Sequence, residues 1–222
     1  MEKHWSIHGL WPSVINGEVP DKCHDLTQKF KFSVVHIKLA KDNLYGVLTN
    51  NWFNIVDMEN PSSGIENFWR TEYDNHGACA SHAQSIQDDV GYFRTAIKML
   101  NDMSLATKIR ESGLSDGGSI LLGTLYDKLT QSIGAKLKII PAFDKERGNY
   151  YLTEIRTCYN LNLRLIDCPN YSGPSKSSRS YSINLFSSVP KLKSPTSSKR
   201  FQRLKRDSNV TNVSNVIPTF ST

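Results

Sequence analysis

Trp5-Ser6-Ile7-His8-Gly9-Leu10-Trp11-Pro12 is the stretch from which the rest of the chain can be read. Trp5 and Ile7 alternate as in a short strand, with Leu10 a further apolar position that fits less strictly, and Trp11-Pro12 would end it. His8 then lies near the end of that strand.

The next informative stretch follows a turn at Pro61-Ser62-Ser63-Gly64, where a serine is positioned to cap a helix. Ile65, Phe68, Trp69, Glu72, Tyr73 and His76 recur at helical intervals, and the helix is expected to run to about Asn75. Between the two stretches, Phe32 to Leu48 is apolar without a decisive period, so its helix or strand identity stays open. Further helices are expected over 85–103, 104–112 and 118–133, with Gly113 and Gly134 as stops. After Gly134 the pattern turns to strands. Leu137, Ile139 and Ile140 suggest one, Tyr151, Thr153, Ile155 and Thr157 a second, and Leu163 to Ile166 a third.

Four cysteines stand at 23, 79, 158 and 168, none in a Cys-x-x-Cys pair. Disulfides are the better reading than zinc. Cys158 and Cys168 fall at opposite ends of the last hairpin and would hold it in register, which leaves Cys23 for Cys79. Sequons at Asn170, Asn209 and Asn212 fit an exported glycoprotein. No run of eighteen apolar residues exists and the opening Met1-Glu2-Lys3-His4 is not a leader.

The formal charge of +6 is unevenly placed. Residues 171–222 hold nine Lys or Arg against one acid, while 1–170 hold 18 against 20. Overall basicity therefore says nothing about a site in the first part. The expected organisation is a domain over 1–170 and a basic, Ser/Pro-rich disordered tail over 171–222, too polar to offset ordering entropy. Within the tail, Lys199-Arg200-Phe201-Gln202-Arg203-Leu204-Lys205-Arg206 could attract RNA or anionic surfaces, serve as an address, be cleaved after Arg206, or be merely solvated.

Two histidines with a carboxylate nearby are what phosphodiester cleavage by internal transfer requires. One takes the 2′-hydroxyl proton and one protonates the leaving 5′-oxygen, and imidazole titrates near about 6.5. Glu72 and His76, four apart on a helix, share a face. By spacing alone they equally describe a helix-end histidine with a surface partner, and a lone Glu-x-x-x-His lacks the paired ligands of a zinc hydrolase.

The identity of the surrounding residues goes further. Residues 5–12 closely resemble the first active-site segment of the ribonuclease T2 family. Phe68-Trp69-Arg70-Thr71-Glu72-Tyr73-Asp74-Asn75-His76-Gly77-Ala78-Cys79 resembles the second, and Cys158-Tyr159 and Asp167-Cys168-Pro169 extend the likeness to about 170. The resemblance implies an α+β fold with an antiparallel central sheet packed by helices. It also implies a metal-independent, cofactor-free endoribonuclease of low base specificity. Such an enzyme cuts single-stranded RNA through a 2′,3′-cyclic phosphate to 3′-phosphate ends, in a secreted or lysosome-like compartment. His8 and His76 are then the acid and base pair, Glu72 their stabilising carboxylate, and Trp11 and Phe68 the base-contacting aromatics, whose plainer role would be packing. DNA is not an expected substrate, and a monomer is expected.

Three departures from the family pattern stand out. Thr71 and Asn75 occupy positions where the family usually has histidine and lysine, and a cation missing at Asn75 predicts slower turnover. The first motif also begins a few residues in, where the family has an earlier strand, so the expectation is a sheet short of one strand and a longer natural precursor with a leader. A second reading is a secreted RNA-binding or signalling protein whose turnover has decayed. The remaining histidines, His4, His24, His36 and His82, are expected to be structural or exposed.

Overall fold

The computed structural model describes residues 5–14, 31–54, 64–81, 83, 85–185 and 213–221. Strand β1 (Ser6–Val14) leads to helices α1 (Val34–Leu39) and α2 (Leu44–Asn51), which resolves the open apolar stretch as helical. Helix α3 (Ile65–Glu72) passes directly into a π turn, Tyr73–Gly77, and a last helical turn, Ala78–Ala80. The expected stop near Asn75 is therefore a widening of the helix that carries the chain on to Cys79. Gly64, left-handed at φ 69°, precedes α3, and the serines expected to cap it lie outside the described residues.

Helices α4 (Asp89–Met103) and α5 (Leu105–Glu111) occupy the expected segments, and the Asp88 side chain caps α4 by accepting from Gly91 N. The segment expected as helix from 118 starts instead with strand β2 (Ser119–Leu121) and becomes helix α6 (Leu122–Ile133), closed by left-handed Gly134 at φ 81°. Strands β3 (Lys138–Asp144), β4 (Asn149–Arg156), β5 (Cys158–Asn160) and β6 (Leu165–Ile166) follow. The Cys158–Cys168 disulfide joins the β5–β6 hairpin as expected. Cys79 is also disulfide-bonded, and Cys23 lies outside the described residues.

The reading of 171–222 as wholly disordered does not hold. Residues 171–185 continue the fold, with a 3₁₀ turn and strand β7 (Ser182–Asn184), and Val213–Ser221 forms strand β8. All eight strands make one sheet, β2-β7-β4-β8-β5-β6, with β1 added on β8 and β3 on β4. The sheet is mixed, because β4 and β7 run parallel while the other pairings are antiparallel. β8 lies between β1 on one side and β4 and β5 on the other, so the tail contributes a strand to the sheet. A polar segment gains here from satisfying backbone groups on both edges, a term that composition does not report.

Helices pack on the sheet through a cluster of buried aromatics, Trp52, Trp69, Tyr73, Tyr92 and Phe93. Its polar atoms reach into β1. Trp69 Nε1 donates to Trp52 O at 2.7 Å, and Trp52 Nε1 donates to His8 O at 3.2 Å. Tyr92 Oη donates to Leu10 O at 3.0 Å and accepts from Leu10 N at 3.3 Å. Burial, with the nearby Glu72 charge, holds the Tyr92 phenol far above its usual range, so it stays a neutral donor.

Candidate active site

Pairing of β1 with β8 shifts between Ile7 and Gly9, so His8 sits in a bulge. A bulge breaks the strict up-and-down alternation and re-aims the side chain it carries. The strand, expected to end at Trp11-Pro12, in fact runs to Val14 and fixes Trp11 as well. On the facing helix, the π turn places His76 one residue out of the ordinary α register relative to Glu72.

These departures bring the expected residues together around one ring. Trp11 is 1% exposed, and its Nε1 donates to Glu72 Oε2 at 2.9 Å. The imidazoles of His8 and His76 lie with centroids 4.8 Å and 5.2 Å from the Trp11 ring. Gly9 makes this approach possible, since a Cβ at that position would collide with the Trp11 indole nitrogen and the Glu72 carboxylate. Gly77 serves the helix side in the same way, against the Tyr73 ring. Glu72 and His76 are both buried, each under 10% exposed.

Two residues that the sequence reading did not single out complete the group. His8 Nδ1 is buried and stands 3.5 Å from Glu154 Oε2. The other oxygen of Glu154 accepts from Arg156 Nε, and the Arg156 guanidinium carbon lies 4.9 Å from the Trp11 ring centre. Burial alone would raise the Glu154 carboxyl, but His8 and Arg156 outweigh it and hold the carboxyl at about 2. The signal in the sequence was a glutamate and an arginine two apart on a strand otherwise recognised by its Tyr151, Thr153, Ile155 and Thr157 face.

A model of the Ribonuclease T2 family matches residues 1–168. The chain belongs to the Ribonuclease T2 family. The ribonuclease T2 protein rnst-2 of Caenorhabditis elegans is 31% identical over 166 residues, covering 74% of this chain and 56% of that relative. Ribonuclease 1 of Arabidopsis thaliana is 29% identical over 170 residues, covering 74% and 66%. The chain thus spans less than two thirds of either relative. Among solved structures, RNase NT in complex with 5′-AMP superimposes with a TM-score of 0.64 at 21% identity, covering 83% of this chain and 84% of that one. Human RNase T2 gives 0.58 at 18%, covering 82% and 85%. These likenesses carry the ribonuclease T2 fold, an α+β arrangement.

Thr71 and Asn75 are less deeply placed than Glu72 and His76. Thr71 is exposed and its hydroxyl donates back to Asn67 O at 2.9 Å, while Asn75 is half-buried. Phe68, on α3 a turn before Glu72, is packed partly against the core. His36, on α1, is exposed, with Nδ1 3.2 Å from buried Asp89. His4, His24 and His82 lie outside the described residues. No helix among the described residues is long and apolar enough to cross a membrane.

Proposed function

We propose that this chain is a secreted or lysosomal endoribonuclease that cuts single-stranded RNA by internal phosphoryl transfer. The observation that carries the reading is the pair of imidazoles, His8 and His76, held against one Trp11 ring whose N–H is bonded to Glu72. Family membership supports it.

In the first step one imidazole accepts the proton of the ribose 2′-hydroxyl as the 2′-oxygen attacks phosphorus. The bond from phosphorus to the 5′-oxygen breaks, and the other histidine, as imidazolium, gives its proton to the leaving oxygen. A 2′,3′-cyclic phosphate results. In the second step water replaces the departed alcohol, the two histidines exchange roles, and a 3′-phosphate remains. Glu72, held by the Trp11 N–H, stabilises the positive charge that passes between the imidazoles. Every proton is moved by a side chain of this chain, so the reaction needs no metal.

Low base preference follows from recognition through the sugar-phosphate and through an aromatic surface such as Phe68, which accepts any base face. Thr71 and Asn75 border the substrate and bring no positive charge. The test is digestion of single-stranded RNA in EDTA, following cyclic-phosphate ends. His8→Ala and His76→Ala each remove the product if the reading is right. Cleavage surviving both substitutions, or a folded parent protein that cleaves nothing, ends it.

A further inference from the structure

The α3 side of the site offers no cation at Asn75, but the sheet side carries two. Arg156 and Lys138 are directly paired residues of antiparallel β4 and β3, so their side chains leave the sheet on the same face. Like charges in directly opposed positions destabilise a sheet. Both are half-buried here, and Lys138 meets no carboxylate among the described residues. Burial, with the Arg156 charge added, pushes the Lys138 ammonium below its usual range. Its Nζ lies 5.9 Å from the centre of the Tyr171 ring.

Two carboxylates stand nearby and both are committed, Glu72 to the Trp11 N–H and Glu154 to Arg156 and His8. Glu154 takes Arg156 Nε on one oxygen and faces His8 with the other. Among the described residues Arg156 is paired with Glu154 and Lys138 with no carboxylate, so these two cations, joined by His8 whenever it is protonated, are served by one paired negative charge in a poorly solvated place. Such an arrangement is short of an anion. The Arg156 guanidinium also lies over the Trp11 ring that supports both histidines.

We propose that Arg156 and Lys138 form an anion site that takes a phosphate of RNA beside the two histidines, with Glu154 aligning the guanidinium. The identity of the anion rests on the ribonuclease reading; the existence of the site does not. Arg156 presents a planar fork matched to phosphate oxygens, and Lys138 adds a point charge from the neighbouring strand. The positive charge that the helix lacks at Asn75 is delivered from the sheet.

Inorganic phosphate is the probe, titrated against the full chain and followed by calorimetry, with RNA cleavage measured in parallel. Arg156→Gln is expected to weaken phosphate binding about tenfold or more, as loss of a charge-assisted contact does, and Lys138→Gln several-fold. Arg156→Lys recovers part of the loss, which a merely structural Glu154 pair would not produce in a binding constant. Lys138→Gln leaves the melting temperature unchanged or raises it, since it removes like-charge repulsion. Should Arg156→Gln unfold by stranding Glu154, the double variant Arg156→Gln, Glu154→Gln carries the same test. Phosphate binding that is absent from the parent, or equal in parent and variants, overturns the site. A parent that binds phosphate through these residues and cleaves no RNA overturns the ribonuclease reading and leaves the anion site standing.

Discussion

Nδ1 of His8 and Oε2 of Glu154 stand 3.5 Å apart although their strands, β1 and β4, are not neighbours: β8 runs between them. The contact crosses a strand. It makes Glu154 a buried carboxylate whose charge is needed in the folded state.

Acid stability follows from that charge. With the carboxyl at about 2 in the folded protein against an ordinary 4.5, the stabilisation is fully present above about pH 4.5 and is lost as pH falls towards 2. The size is on the order of 3 kcal/mol. Urea unfolding at steps from pH 5 to pH 2.5 should show the decline in the parent and a lower, flatter dependence in Glu154→Gln. Parallel curves would remove Glu154 from the account.

Trp11→Phe keeps a ring between the histidines but deletes the donor to Glu72. A buried carboxylate that loses a hydrogen bond costs about 1–3 kcal/mol. Chemical denaturation should register that loss, and RNA turnover should fall more than binding of a short oligonucleotide. Equal stability would mean that Glu72 finds another donor.

Gly9→Ala is the sharper substitution. Its methyl group cannot fit unless the indole or Glu72 moves, so both the bulge and the acid-base pair are displaced. Strain of this kind costs about 1–3 kcal/mol, and turnover is expected to fall about a hundredfold. A variant with parental rate would show that β1 is free to shift at His8.

Removing the Cys158–Cys168 bridge by paired Cys→Ser changes should cost about 3 kcal/mol, the loop-closure value for a short loop. The loss should appear in the melting temperature of the non-reduced protein. The two histidines are held from β1 and the π turn that follows α3, so specific activity below the transition should be retained.

The sequence carried the local parts of the site and little of its assembly. Trp5 to Pro12 is readable because strand alternation and a distinctive octet coincide, and Phe68 to Cys79 because helical spacing does the same. What escaped is set by pairing between distant segments. The bulge at His8 depends on its register with Phe220 and Thr219, and no pattern within residues 5–12 encodes it. The π turn at Tyr73–Gly77 is invisible to a 3.6-residue period. Glu154 was passed over because the strand was recognised by its other face. Val213–Ser221 escaped because its Ser, Asn, Pro and Thr content resembles a tail until its three partner strands are supplied.

β8 is the last strand among the described residues, yet it lies between β1 and β4, the strands that hold His8 and Glu154. Synthesis therefore delivers His8 early and its carboxylate only at residue 154, and joins their strands only once β8 has been made. The growing polypeptide carries the parts of the site for most of its time on the ribosome without the strand that sets them together. Chain order itself acts as a delay, keeping His8 and Glu154 on strands that are joined only after β8 has been made.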